Sequence, residues 1–195
     1  AVHVPIAGLS LLPLLVGLPA IFTPVHIAFL ELLIDPTCSI AFESEAEEAD
    51  VMTRPPRDPA APLFTRSLVL GSVLQGAVVL LLVGGWFVAL LRAGLPQAQA
   101  RAATFSALVL CSLVLIVVNR SLAPSTFAAL RRPNPALWRI VGATGLLLAA
   151  VLLVPALRGL FRFALPPVAL LGGSALLAVV ALTLLMGMKR LARSP

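Results

Sequence analysis

Charge is scarce in this chain. Only 11% of its 195 residues are Asp, Glu, Lys or Arg, against about 25% in soluble domains. Long stretches carry none, among them 67–91, 102–119, 140–157 and 163–188. Tyrosine is absent, and no acid follows Asp58. So few charges cannot coat a globule, which excludes a soluble enzyme, and 60% hydrophobic residues exclude a disordered chain. The net charge of +6 suggests nucleic acid only until the bases are placed. They punctuate apolar runs, so they orient the chain in a membrane, and nucleic acid is excluded as a partner. The two cysteines, Cys38 and Cys111, lack metal-type spacing and read as buried free thiols. No Walker, GxGxxG, HExxH or CxxC pattern occurs.

What is present is apolar sequence in lengths that match a bilayer, which needs about 20 residues of helix. Six segments can be drawn, at about 1–20, 25–43, 67–91, 103–119, 138–157 and 164–187. Leu, Val and Ala run in blocks without strand-like alternation, so the expectation is all-α: an integral membrane bundle of six transmembrane helices. Arg54, Arg57, Arg66, Arg120, Arg131, Arg132, Arg139, Lys189, Arg190 and Arg193 fall to one side of such a bundle. Only Arg92, Arg101, Arg158 and Arg162 fall to the other. The richer side is expected to be cytoplasmic, with the C-terminus and the 44–66 loop. The start has no basic leader or cleavage site, so it does not read as a signal peptide; it opens inside an apolar run, as a chain cut within a helix would.

Three residues carry the chemistry. Glu31 and Asp35 lie in the middle of the second segment, where a carboxylate costs about 2.5–3.5 kcal/mol. Their i, i+4 spacing puts both on one helix face. Pro36 removes a backbone donor directly after Asp35, so the helix is expected to bend or unwind there. The carbonyls of 31–34 should then turn inward beside the carboxylates as an oxygen cage for a cation. The other reading is two protonated carboxyls bonded between helices. His3, in the first segment with Pro5 and Pro13, is either an interhelical hydrogen-bond former or a ligand or proton carrier. His26 reads as an interfacial polar residue. Gln75, Ser106, Ser112, Asn119 and Ser174 read as interhelical hydrogen-bond formers. The glycine pairs 71/76, 84/85, 142/145 and 172/173 read as sites of close helix approach. The stretch MTRPPRDP in the 44–66 loop is stiffened by consecutive prolines.

The run GLPAIFTPVHIAFLELLIDPTCSIAFESEAEEADVMTRPPR resembles the C-terminal membrane region of P-type cation-transporting ATPases, and most closely their bacterial HAD-type, calcium-pump-like branch. In that family a Gly-Leu-Pro turn precedes an ion-binding helix with an aspartate. A cytoplasmic loop ending Asp-x-Met-x-x-Pro-Pro-Arg follows. Here these are Gly17–Pro19, Asp35 and Asp50–Arg57. The resemblance implies that the chain is the last six of ten transmembrane helices, with Asp35 and Glu31 at cation-liganding positions. It places His3 where the family usually has an amide ligand, and puts Ile6 and Leu113 where calcium pumps have acids. It implies partners in the same pump: the phosphorylation, nucleotide-binding and actuator domains, the first four helices, and the bilayer. ATP and Mg belong to that catalytic part, whose Asp-Lys-Thr-Gly-Thr motif is absent from this sequence, so the chain alone is not expected to hydrolyse ATP or hold a cofactor. The 44–66 loop would brace the phosphorylation domain through Arg54 and Arg57. The competing expectation is a stand-alone, non-enzymatic membrane protein.

Overall fold

The structure is a computed structural model that describes residues 1–45, 52, 53, 55, 64–120 and 134–191. Arg54, Arg57 and most of the 44–66 loop lie outside the described residues, as do Arg131, Arg132 and Arg193. Seven helices and no strand occur among the described residues: α1 (His3–Leu15), α2 (Pro24–Glu43), α3 (Arg66–Arg92), α4 (Gln97–Asn119), α5 (Pro135–Leu153), α6 (Pro155–Leu160) and α7 (Val168–Leu191). Of these, α2, α3, α4, α5 and α7 are long and apolar enough to cross a membrane. α1 is apolar but has 13 residues, about 20 Å of helix, short of a hydrocarbon core of about 30 Å.

Proline sets most of the boundaries. Pro24, Pro135 and Pro155 each stand in the first turn of a helix, where their fixed φ suits the helix and their missing N–H is not needed. The segment expected at 138–157 is therefore broken at Val154–Pro155 into α5 and α6. The last helix waits until Pro166 and Pro167 are passed. α4 starts at Gln97, earlier than the apolar run, because QAQAR forms helix although it does not look like a membrane core.

α4 is the hub: 72% of its apolar window is buried within the bundle, against 22–33% for the other four long helices. It packs on α7 and α3, while α1 lies against α3 and α2 against α5. Lipid tails are as apolar as leucine, so close van der Waals packing and interhelical bonds hold such a bundle. The α4–α7 seam is built from small side chains: Ala103 and Ala107 on one helix, Ser174, Ala178 and Ala181 on the other, all buried. Ser174 Oγ donates to the Ala103 carbonyl at 2.9 Å, and Asn119 Nδ2 donates to Gln75 Oε1 at 2.7 Å between α4 and α3. Ser106 instead bonds back to Ala102 in its own helix, and Ser112, though buried, has no hydrogen-bond partner among the described residues. Cys111 is buried and Cys38 half-buried, both free thiols. Leu81, Leu146 and Leu176 point outward and exposed, as a lipid-facing surface requires.

Close approach falls at only some of the glycines. A Cβ on Gly76 would lie 2.6 Å from Val4 Cβ, and one on Gly173 would lie 2.6 Å from the Trp86 ring. Gly71, Gly85, Gly142, Gly145 and Gly172 have nothing within 4 Å, so for these the expected role in packing is not found. Gly76→Leu should therefore push α1 off α3 and lower stability by about 1–3 kcal/mol. Gly142→Leu should cost much less. Thermal unfolding of the two variants in detergent checks the contrast.

Candidate membrane cation site

The site is assembled by two helices. Glu31 is the eighth and Asp35 the twelfth residue of the twenty in α2, so both sit near its middle. α1 begins at His3 and packs along α3 rather than along α2; the His3 side chain is what reaches across to α2. The first turn of α1 touches Gly76, which is itself well inside the 27-residue α3. His3 is thus at mid-depth although it opens its helix. His3 Nε2 lies 3.2 Å from Glu31 Oε2 and 3.9 Å from Asp35 Oδ1. One ligand atom from each of the three residues falls within 4.8 Å of the other two. Two anionic oxygen donors and one imidazole nitrogen within that span can share one cation.

Two features of the backbone and surface differ from expectation. α2 does not unwind at Pro36; it is helical from Pro24 to Glu43 with Pro36 inside. Proline removes a single N–H, leaving the Leu32 carbonyl without its i+4 donor, while the next turn holds. There Thr37 Oγ1 donates to the Leu33 carbonyl. The three side chains also do not face the bundle interior. His3 and Asp35 are 62% and 67% exposed and Glu31 is 38% exposed, so the cluster opens on an outer face that no described residue covers. The inward side of α2 is already filled by Leu30, Leu33 and Ile34.

His26 is not interfacial. It is fully buried at the start of α2, with ring centroids of Phe22, Phe105, Phe161 and Phe163 at 5.1–5.7 Å. The backbone N–H of Thr23, the N-cap residue, donates to Nδ1 at 3.0 Å, and the Thr23 hydroxyl lies 2.7 Å from the same atom. Nδ1 is therefore an acceptor and the ring proton sits on Nε2. His26 caps α2 and anchors its first turn to α4 and the α6–α7 connection. Arg101 reinforces this end, donating to the carbonyls of Ala20 at 3.1 Å and Arg162 at 3.3 Å. Arg162 presents its carbonyl from a left-handed backbone, φ 52°.

The opposite end is closed by ion pairing. Arg120, at the end of α4, donates from Nε and Nη2 to the two oxygens of Glu45 at 2.8 and 3.1 Å. Asn134 Nδ2 donates to Glu45 Oε2 and to the Ala41 carbonyl, while its own Oδ1 accepts from Leu137 N–H and caps α5. Lys189 Nζ of α7 donates to the Val118 carbonyl at 2.8 Å. Sequence reasoning used Arg120 only as a topology marker and missed this clasp. Its partner lies 75 residues away, and no local pattern pairs them.

The all-helical fold, with five helices long and apolar enough to cross a bilayer and a group of ligand-type side chains on one outer face, defines a membrane helix bundle. The chain belongs to the family described as cation transporting ATPase, C-terminus, whose model matches residues 19–191, and it is the membrane transport portion of such a cation ATPase. Glu31 and Asp35 lie within the match and His3 before it. A search among curated proteins finds no match.

Proposed function

We propose that this chain supplies the ion-binding helices of an ATP-driven cation pump of the bacterial HAD-type, calcium-pump-like branch, with Asp35, Glu31 and His3 holding the transported cation. The observation that carries this is the convergence of three ligand atoms, two from the middle of α2 and one from the first residue of α1. A carboxylate facing lipid at that depth costs about 2.5–3.5 kcal/mol, and two together repel. A bound cation offsets both charges, and further helices of the same pump would cover the open face. The phosphorylation, nucleotide-binding and actuator domains and the first four helices are the partners proposed for it, with ATP and Mg acting there. Phosphorylation in that part would shift α1 against α2 and so open the cation to alternate sides.

In this scheme the outer end is the one stapled by His26 and Arg101, and the C-terminus is cytoplasmic. A reporter fused after Pro195 should behave as cytoplasmic; a signal from the opposite compartment overturns the orientation. Inside-out vesicles carrying the full-length protein should accumulate cation only when ATP is supplied. Equal accumulation without ATP contradicts the pump reading.

A further inference from the structure

The donor set narrows the class of cation, an inference that rests on the proposed site. Calcium takes six to eight oxygen ligands, and magnesium is bound by oxygens and keeps several waters. The cluster offers at most four carboxylate oxygens and one imidazole nitrogen, and the nitrogen stands between the two acids at 3.2 and 3.9 Å. Carboxylates alone suit magnesium, calcium and manganese alike, whereas an imidazole suits first-row transition metals such as zinc, iron, nickel and copper. Thiolate is what favours monovalent copper. Cys38 lies on the same helix and Cys111 on α4, and neither joins the group. A nitrogen donor is also a poor choice for sodium or potassium, which like other hard cations prefer oxygen.

We propose that the cation held by His3, Glu31 and Asp35 is a divalent first-row transition metal, of the manganese-to-zinc series, in preference to calcium, magnesium or an alkali ion. His3 sets that preference. Three protein donors leave the coordination sphere to be completed by water or by other helices of the pump.

The test uses the full-length pump in membranes, with Mg-ATP fixed and Mn2+, Co2+, Zn2+, Ca2+ or Na+ added in turn, reading phosphoenzyme formation and the metal retained by the purified protein. Wild type should respond to at least one of Mn2+, Co2+ and Zn2+ at concentrations at least about tenfold below those needed for Ca2+, and should not respond to Na+. His3→Gln keeps size and polarity but offers an amide in place of imidazole. It should cost at least about tenfold in transition-metal affinity, no less than losing an outer-shell partner of a metal ligand costs, and should narrow or invert the margin over Ca2+. Unchanged selectivity in His3→Gln, or a wild-type preference for Ca2+ or Na+, overturns the proposal. If Asp35→Asn abolishes the response while His3→Gln leaves selectivity alone, the site stands and only the metal class falls. If Asp35→Asn changes nothing, the site itself is wrong and the metal class falls with it.

Discussion

Asp35→Asn in the full-length pump should abolish cation-stimulated phosphorylation by ATP, a loss of at least about 100-fold in apparent cation affinity, while the protein still inserts and folds. The substitution removes one negative charge and almost no volume. Asp35 is two-thirds exposed in this bundle, so its replacement disturbs no packed core. Glu31→Gln should lose less, on the order of tenfold. An amide oxygen still reaches the cluster, and His3 remains to hold the cation. Phosphoenzyme formation at graded cation concentrations, beside a check of insertion and expression, measures both. Equal effects of the two substitutions would mean that Asp35 has no special place in the site.

The second large effect concerns stability. Glu45→Ala should lower it by about 3–5 kcal/mol, the range for removing one partner from a buried pair. Arg120 is 1% exposed and Glu45 13% exposed, and Asn134 also donates to Glu45. The carboxylate thus joins the ends of α2 and α4 to the start of α5. Adding Arg120→Met to Glu45→Ala should cost less than the two single losses combined, because no charge is then left buried without its counter-ion. Thermal unfolding in detergent, run as a double-mutant cycle, gives the coupling. Additive losses would show that the pair is not a unit.

Both effects bear on what could be read from the chain alone. The membrane bundle was legible because uncharged runs of bilayer length have few alternatives. The Glu31–Asp35 pair was legible because i, i+4 spacing is a local property of one helix. His3 joined it in the sequence only through the resemblance to the pump family, since nothing local links residues 28 positions apart. The rest depended on tertiary packing. Pro36 looked like a break, but one missing N–H does not undo a helix held on both sides, so α2 runs on. His26 looked like an edge residue because three of its four phenylalanine neighbours, Phe105, Phe161 and Phe163, come from two distant parts of the chain. The Arg120–Glu45 clasp was hidden for the same reason. Membrane-loop arginines read as orientation signals, and only the fold shows which of them are also structural. The glycine pairs fared unevenly: Gly76 and Gly173 meet a neighbouring helix, while Gly142 and Gly145 face open space.

The central claim is that a cation sits between His3, Glu31 and Asp35. Anomalous X-ray scattering at the manganese edge, from crystals of the full-length pump loaded with Mn2+, tests it most directly. The account predicts one peak about 2–2.5 Å from His3 Nε2, a Glu31 carboxylate oxygen and an Asp35 carboxylate oxygen. A peak elsewhere in the membrane, with these three side chains bonded only to one another, would contradict it.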